Sequence, residues 1–208
     1  MKRKIPPTRQ ELFRLRRRLG VAVRGHKLLK DKLEALVKEI TPLVPRYHRL
    51  VAEVEERFPA VVARFAMADA ASPADAVAIA IGQNVTPADL EVKPRWYMGA
   101  TVPEAKAPEQ LGAFSYSLVE TAPELDAAIR EMRDLLPTVI ELAVVQETLL
   151  RLAVELERTR RRTNALEYVL IPELAAARKD IEFKLSELER SDINRLMKIK
   201  EMLEAEAG

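Results

Sequence analysis

A chain of 208 residues with no cysteine, 32% charged residues and a formal net charge of +2 has no disulfide framework, no thiolate metal site and no cysteine nucleophile. No apolar run is long enough to span a bilayer. The opening Met1-Lys2-Arg3-Lys4-Ile5-Pro6-Pro7 has no apolar stretch behind it, so neither a membrane helix nor a secretory signal is expected. Ala, Glu, Lys, Leu and Arg make up roughly 55% of the chain, a composition that favours long helices and coiled coil.

Thr8 followed by Glu11 forms a capping-box pattern, in which the hydroxyl serves one orphan amide and the carboxylate reaches back to the other, so the first helix is expected to start there. From that cap Leu12, Leu15, Leu19, Ala22, His26, Leu29, Leu33, Leu36, Ile40, Leu43, Tyr47, Leu50 and Val54 keep a three-four rhythm, with Phe58, Val61 and Phe65 as a looser continuation. Pro42 and Pro45 each remove a donor and crowd the carbonyl four residues earlier, which predicts a kink or short break near Thr41.

Between Asp69 and Thr121 charge falls, Ala, Pro and Gly rise, and the only tryptophan, Trp96, appears. Ser72-Pro73-Ala74-Asp75 predicts an N-cap with proline at the first helical position, opening a short helix that Gly82 stops. Leu90–Val102 and Ala113–Val119 carry β-forming residues and predict a small hairpin, limited by Pro94 and Pro103 to edge-like strands. Thr121-Ala122-Pro123-Glu124 then predicts the cap of a returning helix, with an early bend at Pro137.

The second seam runs through Leu142, Val145, Leu149, Leu152, Leu156, Thr159, Thr163, Leu166 and Leu170. It restarts one residue later through Leu174, Ala177, Ile181, Leu185, Leu188, Asp192, Leu196, Ile199 and Leu203, a shift that locally unwinds a supercoil. Pro172 falls where the rhythm slips. If continuous, this helix would measure about 90 Å at 1.5 Å per residue. The expected fold is all-α, a long antiparallel two-helix coiled coil of the N- and C-terminal segments with a small central lobe containing a short helix and a β-hairpin. The expected division is 1–68, 69–121 and 122–208.

No constellation for catalysis stands out: there is no Gly-rich phosphate loop and no metal-ligand spacing, so no cofactor is expected and the chain is not expected to be an enzyme by itself. His26 and His48 are the only histidines, and His26 sits at a seam position, where a packed, hydrogen-bonded imidazole is expected. Gly20 and Gly25 each cost roughly 1 kcal/mol inside a helix relative to alanine, which is either tolerated or reflects close approach of a neighbouring helix or subunit. Positive charge is concentrated at the start, where Lys2, Arg3, Lys4, Arg9, Arg14, Arg16, Arg17, Arg18, Arg24, Lys27 and Lys30 face only Glu11 before Asp31, and an acidic partner is implied.

Four stretches carry a resemblance. Arg161-Arg162-Thr163-Asn164-Ala165-Leu166-Glu167 followed by Ile171-Pro172 is similar to the signature of the D subunit, the central rotor shaft of archaeal and vacuolar-type rotary ATPases. Pro7-Thr8-Arg9 with Leu12, Gly25-His26-Lys27-Leu28-Leu29-Lys30-Asp31-Lys32 and Arg195-Leu196-Met197-Lys198-Ile199-Lys200 agree with it. The family usually has valine at Thr163, arginine at Leu33 and lysine at Met197. The resemblance implies a non-catalytic subunit whose coiled coil enters a hexamer of catalytic and regulatory subunits and transmits torque between ATP synthesis or hydrolysis there and proton or sodium transport in the membrane sector. It implies two further partners, the small F subunit and a central-stalk seat, the d or C subunit, above the membrane ring. It also implies a peripheral position on the cytoplasmic face of a membrane, with no nucleic acid and no direct insertion. The expected partner interface comprises Arg9, Arg14, Arg16, Arg17, Arg18, Gly20, Gly25, Arg160, Arg161, Arg162, Asn164, Glu167, Arg195, Lys198 and Lys200. The same periodicity would serve a free-standing coiled-coil adaptor or tether. A nucleic-acid binder is disfavoured because no aromatic residue interleaves with the basic segment.

Overall fold

The computed structural model describes residues 6–83, 90–106 and 121–206. In chain order it contains helix α1 (Arg9–Ala71), helix α2 (Ala76–Gln83), strands β1 (Val92–Tyr97) and β2 (Ala100–Ala105), helix α3 (Pro123–Ala165), a five-residue π turn (Leu166–Leu170) and helix α4 (Ile171–Glu206). Two compact units result, one from Met1–Glu34 with Glu157–Gly208 and one from Ala35–Leu156.

In the first unit α1 pairs with the end of α3, the π turn and α4. Its cross-helix partners, Arg9 with Glu189, Arg16 with Glu182 and His26 with Glu167, fall in number on one helix as they rise on the other, the mark of an antiparallel pair. Leu15, Ala22, Thr159, Thr163 and Ile181 are buried along the seam. Thr163 satisfies its hydroxyl by donating to the Thr159 carbonyl at 2.9 Å, so a polar group sits in the seam without an orphaned donor.

The seam does not follow the predicted course to the end. Across the π turn it steps five residues, from half-buried Leu166 to Ile171, and Leu170 is exposed. The Ile171 amide donates to the Leu166 carbonyl, the i to i−5 pattern that adds one residue to a turn. That extra residue is the one-position slip in the rhythm. The predicted seam positions Leu188, Asp192, Leu196, Ile199 and Leu203 lie exposed; the last four fall beyond Glu189, the partner of Arg9, where α1 begins and offers nothing further to cover them.

The second unit pairs the rest of α1 with α3 in the same sense, through Arg46–Glu141 and Arg64–Glu131. Leu36, Leu50, Leu135, Val145 and Leu152 are buried, and Ala68, Val77, Ala80, Leu125 and Ile129 form a cluster against which Phe65 packs. The predicted break near Thr41 is absent. Helix α1 runs unbroken through Pro42, Pro45 and Pro59, and α3 through Pro137. In α1 the prolines and the residues whose carbonyls they free, Lys38, Thr41 and Glu55, are exposed, so water takes the place of the lost donors while the buried seam holds the helix.

Caps differ in detail from the sequence patterns. The Glu11 amide donates to Thr8 Oγ1 at 3.2 Å, but the Glu11 carboxylate accepts from Arg14 at 2.6 Å and the Thr8 amide donates to the Pro6 carbonyl, so the box is only half closed. Ser72 does not cap α2. Its hydroxyl donates to the Ala68 carbonyl and accepts from the Ala122 amide, tying the end of α1 to the start of α3. Asp75, at a positive φ of 67°, takes the capping place before α2, which includes Gly82 and ends one residue later.

The β-hairpin is present, with both strands inside a shorter stretch than predicted: β1 pairs antiparallel with β2 across Met98-Gly99. Both turn residues have positive φ, 53° and 92°, as a type I′ turn requires. Pro94 faces Pro103. Counting from the Tyr97–Ala100 pair that closes the turn, this is a non-hydrogen-bonded pair, so neither proline removes a ladder bond. The expected second strand, Ala113–Val119, lies outside the described residues.

Val102 is buried, and two polar clips hold the hairpin to the helices of this unit: Tyr97 Oη donates to Glu39 Oε2 at 2.5 Å, and Arg151 donates to the Thr101 carbonyl at 2.6 Å. The Glu39 hydrogen bond, desolvation and the Glu39 charge raise the Tyr97 pKa, with Arg95 opposing. A raised folded-state pKa means that the clip is intact below the ordinary tyrosine value of about 10 and is lost as pH rises through the higher folded value. Trp96 emission should therefore report release of the hairpin in strong alkali, and Tyr97→Phe should remove that transition. An identical alkaline transition in both proteins would count against the clip.

Candidate partner-docking surface

All fifteen residues expected at a partner interface fall in the first unit, but they are not equally available. Arg9 and Arg16 are engaged across the helix pair, at 2.8 Å from Glu189 and 2.9 Å from Glu182. Arg14 is held by Glu11, and Arg161 pairs with Glu157 on its own helix. Glu167 faces half-buried His26 at 3.3 Å, so the imidazole is packed and hydrogen-bonded as its seam position predicts. Arg17, Arg18, Arg160, Arg162 and Asn164 are exposed on helix faces turned to solvent. Arg195, 4.0 Å from Asp192, lies with Lys198 and Lys200 on the part of α4 that α1 does not cover.

The two glycines are not explained inside the chain. A Cβ on Gly25 would meet nothing within 4 Å, and one on Gly20 would meet only Arg24 Nη1 at 3.8 Å. Among the described residues, no neighbouring helix approaches either glycine closely.

Apolar exposure accompanies the charge. Phe13, Val21 and Leu28 face solvent on α1, Tyr168, Val169 and Leu170 do so at the π turn, and Ile193, Leu196, Met197, Ile199, Met202 and Leu203 do so on α4. Spacing alone assigns Leu170, Leu196, Ile199 and Leu203 to a covered seam. The signals that flag them as uncovered are the length mismatch between the two seams and the run of apolar residues at the phase slip.

Among the described residues no group of three or more His, Asp or Glu side chains is placed to hold a metal ion, and no helix is long and apolar enough to cross a membrane. A mixed cationic and apolar face on paired helices suits protein docking.

Residues 11–201 match the family model that describes the D subunit of ATP synthase. The chain belongs to the ATP synthase D-subunit family. It is 40% identical over 204 residues to the V-type ATP synthase D subunit of Acetivibrio thermocellus, covering 96% of this chain and 92% of that relative. The V-type ATP synthase D subunit of Clostridium novyi is 41% identical over 207 residues, covering 97% and 96%, and that of Clostridium botulinum strain ATCC 19397 is 38% identical over 209 residues, covering 98% and 97%. Family membership makes the chain one component of an ATP-synthesising, ion-transporting V-type complex.

Proposed function

We propose that this D-family chain is the non-catalytic rotor of the central stalk, carrying torque between the hexamer that makes or hydrolyses ATP and the sector that moves protons or sodium ions. The observation that carries this reading is the pairing of α1 with the returning helices in an antiparallel sense in each unit, with α1 unbroken over 63 residues despite three prolines. Two helices joined along a seam resist twisting better than one, and an unevenly charged surface gives successive surrounding sites unequal contacts, which coupling requires. In this reading the first unit, with its cations and uncovered α4 end, sits within the hexamer of catalytic and regulatory subunits. The F subunit and the seat formed by the d or C subunit bind elsewhere on the stalk, peripheral to the membrane on its cytoplasmic face.

The chain has no cysteine of its own, so introduced cysteines are unique within it. Cysteines placed next to Arg16 and Arg195 and disulfide-linked to the hexamer are expected to stop ATP turnover, with activity returning on reduction. Full turnover in the linked complex would rule out rotation of this part of the chain.

A further inference from the structure

The π turn presents a feature that helix pairing does not require. A π turn is rare and less favourable than the α-helix it replaces, and such turns concentrate at functional sites. Its phase shift moves the seam from Leu166 to Ile171 and turns the three residues before Ile171 outward: Tyr168, Val169 and Leu170 are 71%, 54% and 41% exposed. Restoring the seam needs one extra residue, and any polar residue would have served. Three consecutive large apolar residues there instead form a contiguous patch, unlike the single exposed apolar residues common on surfaces.

Charge beside the patch identifies its complement. Arg158, Arg162 and Ala165 follow at steps of four and three, and the five-residue step across the π turn brings Leu170 onto the same helix face. Arg158 and Arg162 are exposed and form no ion pair among the described residues, whereas neighbouring Arg161 is held by Glu157. On the inner side, Glu167 is drawn to His26 of α1, which anchors the first residues of the turn against the opposite helix and leaves Tyr168 outward.

We propose that the π turn is a docking element, its Tyr168-Val169-Leu170 patch seating in an apolar socket of another subunit of the ATP synthase complex whose rim supplies carboxylates to Arg158 and Arg162. This rests on the chain acting as an assembled subunit, and it assigns one of that subunit's contact surfaces and the chemistry of its partner.

Tyr168 is itself a probe, because hydroxyl radicals oxidise exposed tyrosine rings. Footprinting of the full chain alone and in the purified complex is expected to show oxidation of Tyr168 falling by about tenfold on assembly, as for an aromatic anchor in an interface core. In complexes carrying Arg158→Lys or Arg162→Lys, a carbodiimide should join the new amine to a carboxylate of another subunit. Equal oxidation of Tyr168 in both states overturns the docking element while leaving the rotor reading intact. Protection without a crosslink from either lysine overturns the acidic rim. Protection that appears on concentrating the isolated chain means self-association and overturns the partner. A chain that does not assemble with the other subunits overturns the rotor reading and this one together.

Discussion

Leu152→Ala is expected to lower the stability of the second unit by about 2 to 5 kcal/mol, the cost of a large-to-small change at a fully buried site that cannot collapse. Leu152 is 0% exposed at a seam position of α3. Its neighbours set the internal control: Leu150 and Val154, two residues either side, are 55% and 49% exposed, so alanine there should change stability by no more than about 0.5 kcal/mol. Because the chain has two units, a single melting temperature would blur the result, and the measure is amide hydrogen exchange followed across α3 and the paired part of α1. Loss of protection confined to those helices in Leu152→Ala, with Leu150→Ala indistinguishable from the wild type, is the expected pattern. Equal losses for both leucines would mean that the seam is not what holds this unit.

That prediction was available from periodicity alone, since Leu36, Leu50, Val145 and Leu152 are seam positions in the sequence and buried in the structure. Three-four spacing is legible because burial of a helical stripe depends on its own sequence and on the presence of a partner of similar length. What depended on the partner's end was not legible: Leu196, Ile199 and Leu203 keep the spacing but outrun α1. The cost of a helical proline depends on exposure, which spacing does not show, and at Pro42 and Pro45 solvent replaces the missing donors. The hairpin is legible but its turn is not, because Met98-Gly99 lacks the usual Asn-Gly signal and Pro94 and Pro103 argue against strands until their mutual pairing is seen. At the docking surface, the cations were readable but their partners were not. Nothing local says that Glu189 and Glu182 occupy Arg9 and Arg16 while Arg162 stays open, since those pairs are set by the antiparallel register.

The sharpest consequence of that register concerns two single-residue deletions in one helical run. Deleting Val169 should remove the π turn and cost little. The seam would then pass from Thr163 and Leu166 to the present Ile171 and Leu174 in steps of three, four and three, the spacing of an uninterrupted α-helix. Pro172 is no obstacle, since Pro42, Pro45, Pro59 and Pro137 already sit in α-helical turns of this chain. Deleting Lys179, an exposed residue ten positions further on, removes no buried group but has no π turn to absorb it. It rotates Ile181, 2% exposed, and Leu185 off the seam and misaligns Glu182 from Arg16. The exposure of Ile181 alone costs about 1.5 to 3 kcal/mol, with Leu185 adding to it. Hydrogen exchange over α4 should therefore be near normal without Val169 and collapse without Lys179. The reverse order would show that the π turn is not the phase-correcting residue. If the Val169 deletion keeps its protection yet loses the burial of the Tyr168 region in the assembled complex, the turn is retained for what it displays, because the helix pair does not need it to fold.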